Sequence, residues 1–310
     1  MTGTVIKSTG SWYQVMIADN KIYDCKIRGS FRIKGIKATN PIAAGDIVDI
    51  ELEPDEMIGN IVKIHERKNY IIRKSINLSK QVHILAANID HAYLVGSIAQ
   101  PKIKFGFIDR FLVTAEAYHI PATIILNKTD ANTEEDNELM KHYKEMYEKI
   151  GYEVICMSAF NNEDVERLKI KLKGKINLFS GNSGVGKSTL INKMELQLNL
   201  KTAEISTSNE KGTHTTTFAE MHPLTFGGYI IDTPGIKELG VVDIDKKEVS
   251  HYFLEMRERL NDCKFSNCTH INEPGCAIKK AVEAGEISPT RYSSYLDVYE
   301  NREEEEDNKY

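Results

Sequence analysis

Ile176-Asn-Leu-Phe-Ser-Gly181-Asn-Ser-Gly-Val-Gly-Lys187-Ser188-Thr-Leu-Ile-Asn192 is the stretch that decides the fold. An apolar run of strand length ends at Ser180. Gly181, Asn182, Ser183, Gly184, Val185, Gly186, Lys187 and Ser188 then satisfy G-x-x-x-x-G-K-[ST], and Thr189 opens a helix pattern. The glycines let successive backbone N–H groups turn inward as an anion nest. In such a loop the lysine reaches the β- and γ-phosphates of a nucleotide, and the hydroxyl of Ser188 binds Mg²⁺. The alternative is a glycine-rich turn with an accidental lysine, which would account for neither the strand before it nor the helix after it.

Outward from this loop the same alternation continues. Residues 92–97, 122–126, 153–157 and 229–231 are apolar runs of strand length, and residues 107–118 and 134–150 carry helical periodicity. Over residues 73–240 this predicts a multi-domain α/β chain's central body, a mostly parallel sheet covered by helices on both faces. The run at 122–126 ends in Asn127-Lys128-Thr129-Asp130. A carboxylate such as Asp130 accepts from both the ring N–H and the exocyclic amine of guanine, and adenine offers no 2-amino donor. Lys128 would lie along the purine and Asn127 would brace the phosphate loop. Alone, N-K-x-D also arises by chance, because Asx residues are common at strand-to-helix turns. Ser158-Ala159 ends the run at 153–157, where a backbone amide could touch the guanine carbonyl. Asp232-Thr-Pro-Gly235 follows the run at 229–231, with Asp232 expected to hold Mg²⁺ through water and the Gly235 N–H to sense the γ-phosphate.

The order of these motifs is unusual. A Ras-like GTPase runs phosphate loop, D-x-x-G, N-K-x-D and Ser-Ala loop. This chain runs N-K-x-D, Ser-Ala, phosphate loop, D-x-x-G. Joining the usual ends and cutting after D-x-x-G gives this order without moving a strand, a circular permutation that adjacent termini make tolerable. The cut leads the γ-phosphate sensor straight into the C-terminal segment, which could then move with nucleotide state.

Residues 1–72 read differently. Short β-rich runs at 4–8, 12–17, 21–27, 46–52 and 59–64, punctuated by turn residues, suit a five-stranded closed barrel of OB-fold type. Lys26, Arg28, Arg32, Lys34 and Lys37 cluster around Phe31, the composition with which such barrels grip single-stranded RNA; a solvated hairpin tip is the alternative. At the other end, residues 241–302 look helical on either side of Cys263-x4-Cys268-x-His270-x5-Cys276. Three thiolates and an imidazole complete a tetrahedron with no open position, the donor set of a structural Zn²⁺ ion. Residues 303–310 form an acidic tail expected to be disordered.

Permuted order, N-terminal barrel and C-terminal Cys/His segment together resemble the ribosome small-subunit-dependent GTPases of the RsgA (YjeQ/EngC) family. The resemblance implies slow GTP hydrolysis stimulated by the small ribosomal subunit, a role in its late maturation, and contact with 16S rRNA. Gly212-Thr-His-Thr-Thr-Thr217 resembles that family's G-R-H-T-T-T first switch, with Thr213 in place of the arginine. Thr216, or alternatively Thr215, would complete the Mg²⁺ shell in the GTP state, and His214 is the candidate for orienting water unless it is only an exposed loop histidine. Ile236 follows Gly235 where a Ras-like enzyme has its water-positioning glutamine, and isoleucine cannot orient water. Competing expectations are an RNA-binding module with structural nucleotide, and a P-loop ATPase with a chance N-K-T-D.

Composition sets outer limits. With 41% hydrophobic and 27% charged residues this reads as an ordinary globular chain, and no apolar run approaches the ~18 residues of a membrane span, so a cytoplasmic protein is expected. The formal charge of -5 counts against a general nucleic-acid binder, yet five of those negative charges lie in residues 303–307. No repeat or heptad suggests oligomerisation, and a monomer is expected.

Overall fold

The computed structural model describes residues 1–27, 41–53, 58–74, 82–196, 198, 219–232 and 244–300. The first five strands are β1 (Thr2–Ser8), β2 (Tyr13–Met16), β3 (Ile22–Ile27), β4 (Ile47–Leu52) and β5 (Ile58–Ile64). They pair in the order β1-β2-β3-β5-β4, and β4 returns to β1, closing a barrel. Alternation explains the closure: along β3 the residues run exposed, buried, exposed, buried, so Tyr23 and Cys25 face a core with Val5, Tyr13, Val15, Val48, Ile50 and Ile61. Within the barrel, among the described residues, only the β3–β5 pairing is parallel.

The hairpin of β6 (Tyr70–Lys74) and β7 (Val82–Ala87) joins barrel to sheet. Its Ala86 bridges to Ala44, and the buried Asn69 side chain both donates to and accepts from the Ile89 backbone. Arg67 ties down the same corner, with its Nε 2.6 Å from the fully buried Asp46.

The body follows as β8 (His91–Ser97), α1 (Phe105–Ala117), β9 (Ala122–Asn127), α2 (Glu134–Ile150), β10 (Glu153–Cys156), α3 (Asn162–Leu172), β11 (Ile176–Ser180), α4 (Lys187–Met194), β12 (Glu220–Pro223) and β13 (Tyr229–Asp232). The strand order is β10-β9-β8-β11-β13-β12, parallel except for β12. Helices α1 and α2 cover one face through Phe111, Leu112, Tyr143 and Tyr147, and α3 and α4 the other through Leu168, Leu172, Leu190 and Ile191. The anticipated parallel sheet with helices on both faces is therefore present. A capping box of Thr133 and Asp136 starts α2, and Gly151 at φ 112° ends it.

Beyond residue 244 helices are shorter than a helical reading of 241–302 suggests. Before the cysteines there are only 3₁₀ turns and the single-turn α5 (Leu254–Arg257); α6 (Ala277–Glu283) and α7 (Pro289–Glu300) come after. This segment has its own core of Phe253, Met256, Ile278, Ile287 and Tyr295, which takes in Val113 of α1. No helix among the described residues is long and apolar enough to cross a membrane.

Candidate functional site

Parallel strands place whatever follows them at one edge of the sheet, and all four nucleotide motifs follow a parallel strand. The phosphate loop leaves β11 and enters α4. Gly181 passes so close to β8 that a Cβ there would stand 2.2 Å from the Val95 carbonyl oxygen. Gly186 has φ 88°, and its Cβ would lie 2.5 Å from Asn127 Nδ2, so neither position accepts a side chain. Within the loop, the Lys187 ammonium donates to the Gly181 carbonyl at 3.2 Å, which lays it along the curve of the loop. Ser183 and Gly184 are exposed, Val185 is buried, and Asn182, Ser188 and Thr189 are half-buried.

Asn127 joins three loops. It is 2% exposed at the end of β9; its Nδ2 donates to the Val185 carbonyl at 3.0 Å, and its Oδ1 accepts from Ala159 N at 3.1 Å. One amide thus bonds both the Val185 carbonyl of the phosphate loop and the Ala159 N–H of the Ser-Ala loop. Lys128 adopts a left-handed backbone, φ 65°, and its Nζ donates to the Gln100 carbonyl at 2.7 Å. Thr129 starts a 3₁₀ turn, its N–H bonded to the Met157 carbonyl. Asp130 is exposed, and the Ser158 hydroxyl donates to its Oδ1. The Ser158 N–H donates to Asp164 on α3 at 3.0 Å. Base loop and Ser-Ala loop are thereby held as one rim. Sequence reasoning missed Gln100 and Asp164. The Asx cap Asn161 just before an acidic first turn was a readable signal for Asp164, whereas a backbone carbonyl such as that of Gln100 leaves no signal.

Asp232 ends β13, with its backbone opposite Glu220 of β12. Thr213, His214, Thr215, Thr216, Gly235 and Ile236 lie outside the described residues, as do Arg28, Phe31, Arg32, Lys34, Lys37 and residues 303–310.

Cys263, Cys268, His270 and Cys276 converge, with ligand atoms all within 4.8 Å of one another. His270 Nδ1 is 3.6 Å from Cys263 Sγ and 3.4 Å from Cys276 Sγ. An ion with Zn–S about 2.3 Å and Zn–N about 2.0 Å in a tetrahedron requires an S···N separation of about 3.6 Å. The donor set therefore fits zinc in chemistry and in spacing. His270 (2% exposed) and Cys276 (3%) are buried, and backbone N–H groups of Ala277 and Lys279 point at the sulfurs of Cys263 and Cys276. Between the ligands, Glu273 accepts from the backbone N–H of Thr269, Ile271 and Asn272 and from the Thr269 hydroxyl. The Thr269 hydroxyl and these backbone donors pull its carboxyl down to about 2. Tyr292 and Tyr295 donate to the carbonyls of His270 and Thr269, fixing the loop on α7.

Comparison with known proteins agrees with this arrangement. The RsgA GTPase family model matches residues 64–242, and the RsgA N-terminal domain model matches residues 2–61. A protein of Christiangramia forsetii named small ribosomal subunit biogenesis GTPase RsgA is 55% identical over 98% of this chain and 97% of its own length. A Flavobacterium johnsoniae protein of the same name is 53% identical over 98% of this chain and 94% of its own. Among solved structures, YjeQ from Thermotoga maritima superposes with TM-score 0.77 at 34% identity, covering 97% of each chain. YloQ, described as a circularly permuted GTPase, gives TM-score 0.75 at 31% identity over 97% of this chain and 94% of that one.

Proposed function

The chain belongs to the RsgA GTPase family, and from that premise we propose that it acts in biogenesis of the small ribosomal subunit, hydrolysing GTP to GDP and phosphate as a switch. The observation that carries this is Asn127: one buried side chain ties the N-K-x-D loop, the Ser-Ala loop and the phosphate loop together at one sheet edge, in permuted chain order. An ATPase with a chance N-K-T-D has no reason to build that rim.

In this reading Asp130 accepts from guanine N1–H and the 2-amino group, with Ser158 orienting the carboxylate. Lys128 flanks the purine. The nest from Gly181 to Ser188 holds the phosphates, and Lys187 compensates charge on the β- and γ-phosphates. Ser188, Thr216 and, through water, Asp232 are the residues that would hold Mg²⁺, which when bound neutralises charge between the β- and γ-oxygens. Gly235 senses the γ-phosphate, and His214 orients water, with Thr215 as the alternative metal threonine. Because Ile236 cannot position water, hydrolysis is slow until the particle contributes.

The working parts are a barrel of residues 1–72 that binds 16S rRNA, a GTPase body of 73–240, a zinc-stapled module of 241–302 and a tail of 303–310. Cys263, Cys268, His270 and Cys276 hold the structural zinc. The protein works as a monomer in the cytoplasm, where ribosomes are assembled. The test is GTP hydrolysis with purified small subunits, with large subunits as control. Stimulation by the small subunit alone is expected. Normal GTP binding without stimulation would overturn the ribosomal part of the reading.

A further inference from the structure

In the barrel, β2 and β3 pair so that Tyr13 stands opposite Cys25 and Gln14 opposite Asp24. One step along the same antiparallel register, Trp12 faces Lys26. Tyr13 (1% exposed) and Cys25 (0%) point into the core, so their neighbours Trp12 and Lys26 point outward. Trp12 is 39% exposed, and the Lys26 ammonium lies 4.2 Å from the centre of its ring. The loop before Trp12 is closed by two bonds to its own carbonyl, from Thr9 N at 3.0 Å and Thr9 Oγ1 at 3.1 Å. The Trp12 backbone is therefore fixed by the closed turn.

Lysine-on-aromatic contacts also occur elsewhere, at Lys193 with Phe160 and Lys264 with Phe265. The contact alone therefore selects nothing; its position does. A five-stranded barrel of this strand order binds oligonucleotides on its β2–β3 face and the adjoining β1–β2 loop. Trp12 sits where that loop meets β2, and Lys26 is on β3. Next in register beyond Lys26 is Asn60 of β5, then Glu51 of β4. Asp24 and Glu51 repel phosphate from the remainder of the face, which leaves the Trp12–Lys26 end as its cationic and aromatic pole.

We propose that Trp12 and Lys26 form a stacking platform for one unpaired RNA nucleotide, the indole taking the base and the ammonium the adjoining phosphate. The assignment rests on the ribosomal RNA reading above and gives it a residue-level contact. Stacking on an aromatic ring tolerates every base, because each has a π-face, so the platform selects single strands rather than a sequence.

Trp12 is the chain's single tryptophan, so intrinsic indole emission reports this site alone. The full chain is titrated with oligouridylate and, in parallel, with duplex RNA of equal length. Quenching by the single strand is expected. In anisotropy with labelled oligouridylate, Trp12→Ala should weaken binding by about five- to a hundredfold, and Trp12→Phe should recover most of it. Lys26→Gln should lower the slope of log affinity against log salt by about 0.7. Unquenched emission at saturating RNA, equal quenching by duplex, or unweakened binding by Trp12→Ala would overturn the platform. If the wild-type chain is stimulated by small subunits while its emission is unquenched, only the platform fails. If it shows neither stimulation nor RNA binding, the ribosomal reading fails as well.

Discussion

Replacing Arg291 by methionine should loosen the C-terminal module from the GTPase body. Arg291 on α7 is fully buried and bridges two carboxylates that belong to different parts of the chain. Its Nη1 donates to Asp109 of α1 at 2.7 Å; its Nε and Nη2 donate to Glu255 of α5 at 2.7 and 3.0 Å. The guanidinium carbon lies over the Phe253 ring, 4.6 Å from its centre, and Tyr147 donates to Asp109 from α2 at 2.8 Å. Asp109 is itself fully buried, and its second oxygen has no partner among the described residues. Methionine fills the volume but leaves two buried carboxylates without a cation. Breaking a buried pair in this way costs about 3–5 kcal/mol. The chain has several parts, so a global melt is a poor reporter, and amide exchange along α7 reads the junction directly. Protection there should fall by roughly a hundred- to a thousandfold, taking about 1.4 kcal/mol per decade, with GDP affinity unchanged. The triple variant Asp109→Asn, Glu255→Gln, Arg291→Met removes all three charges and should recover much of the loss. Unchanged protection in Arg291→Met alone would refute the reasoning, since it would mean that the carboxylates reach solvent without cost.

Asn127→Ala strands the Val185 carbonyl and the Ala159 N–H, each at about 1–3 kcal/mol. GDP affinity by titration calorimetry should fall at least tenfold, and an unchanged value would dismiss the brace. Chelation, or Cys276→Ser, should release one zinc per chain and raise protease sensitivity in residues 250–300, whose small core depends on the staple; unchanged cleavage after metal loss would contradict this. His91 provides the pH test: burial, with Lys175 next in effect, holds its imidazole down to about 4 against an ordinary 6.5. Its folded pKa is depressed, so its contribution is present above pH 6.5 and lost as pH falls towards 4. Between pH 7 and 5 this amounts to about 2 kcal/mol. His91→Gln should flatten the pH dependence of urea stability by that amount, and parallel curves for variant and wild type would refute it.

What was legible in the sequence was whatever chemistry packs into a short span. The phosphate loop, N-K-T-D and the Cys/His spacing each declare themselves within fifteen residues, because a backbone nest, a base-reading loop and a metal chelate are local objects. The barrel strands were legible because alternation is local too. Strand β12 was not: Glu220-Met-His-Pro223 is four residues ending in proline, too short for a period, and becomes a strand only by lying against β13. Asp109, Glu255 and Arg291 were equally hidden. Each sits on a helix where a charge reads as solvent-facing, and the closest pair is 36 residues apart. The outward pole of the barrel needed register, since only the pairing of β2 with β3 puts Trp12 over Lys26.

Sheet order also shows what permutation achieves here. The six-stranded stretch of body ends in β13 and β12, and β12 would be a bare edge, open to unwanted pairing. Instead, Glu220 pairs in register with Asp232 on one side and with Lys7 of β1 on the other. The strand that ends in Asp232, the strand that follows the threonine run and the first strand of the barrel are therefore neighbours in one hydrogen-bonded sheet. The Lys7–Glu220 ion pair, with both side chains more than a third exposed, contributes little. Backbone pairing is the link that matters, because a single strand, β12, separates β13 from β1. On the opposite side the C-terminal module is fixed to α1 by Val113 and by Arg291. A chain cut elsewhere could keep the same sheet, but would not lead Asp232 on towards the module whose helix α7 is locked to α1. The permutation thus leaves the body between two attached parts, the barrel joined through β12 and the C-terminal segment through a buried ion triad.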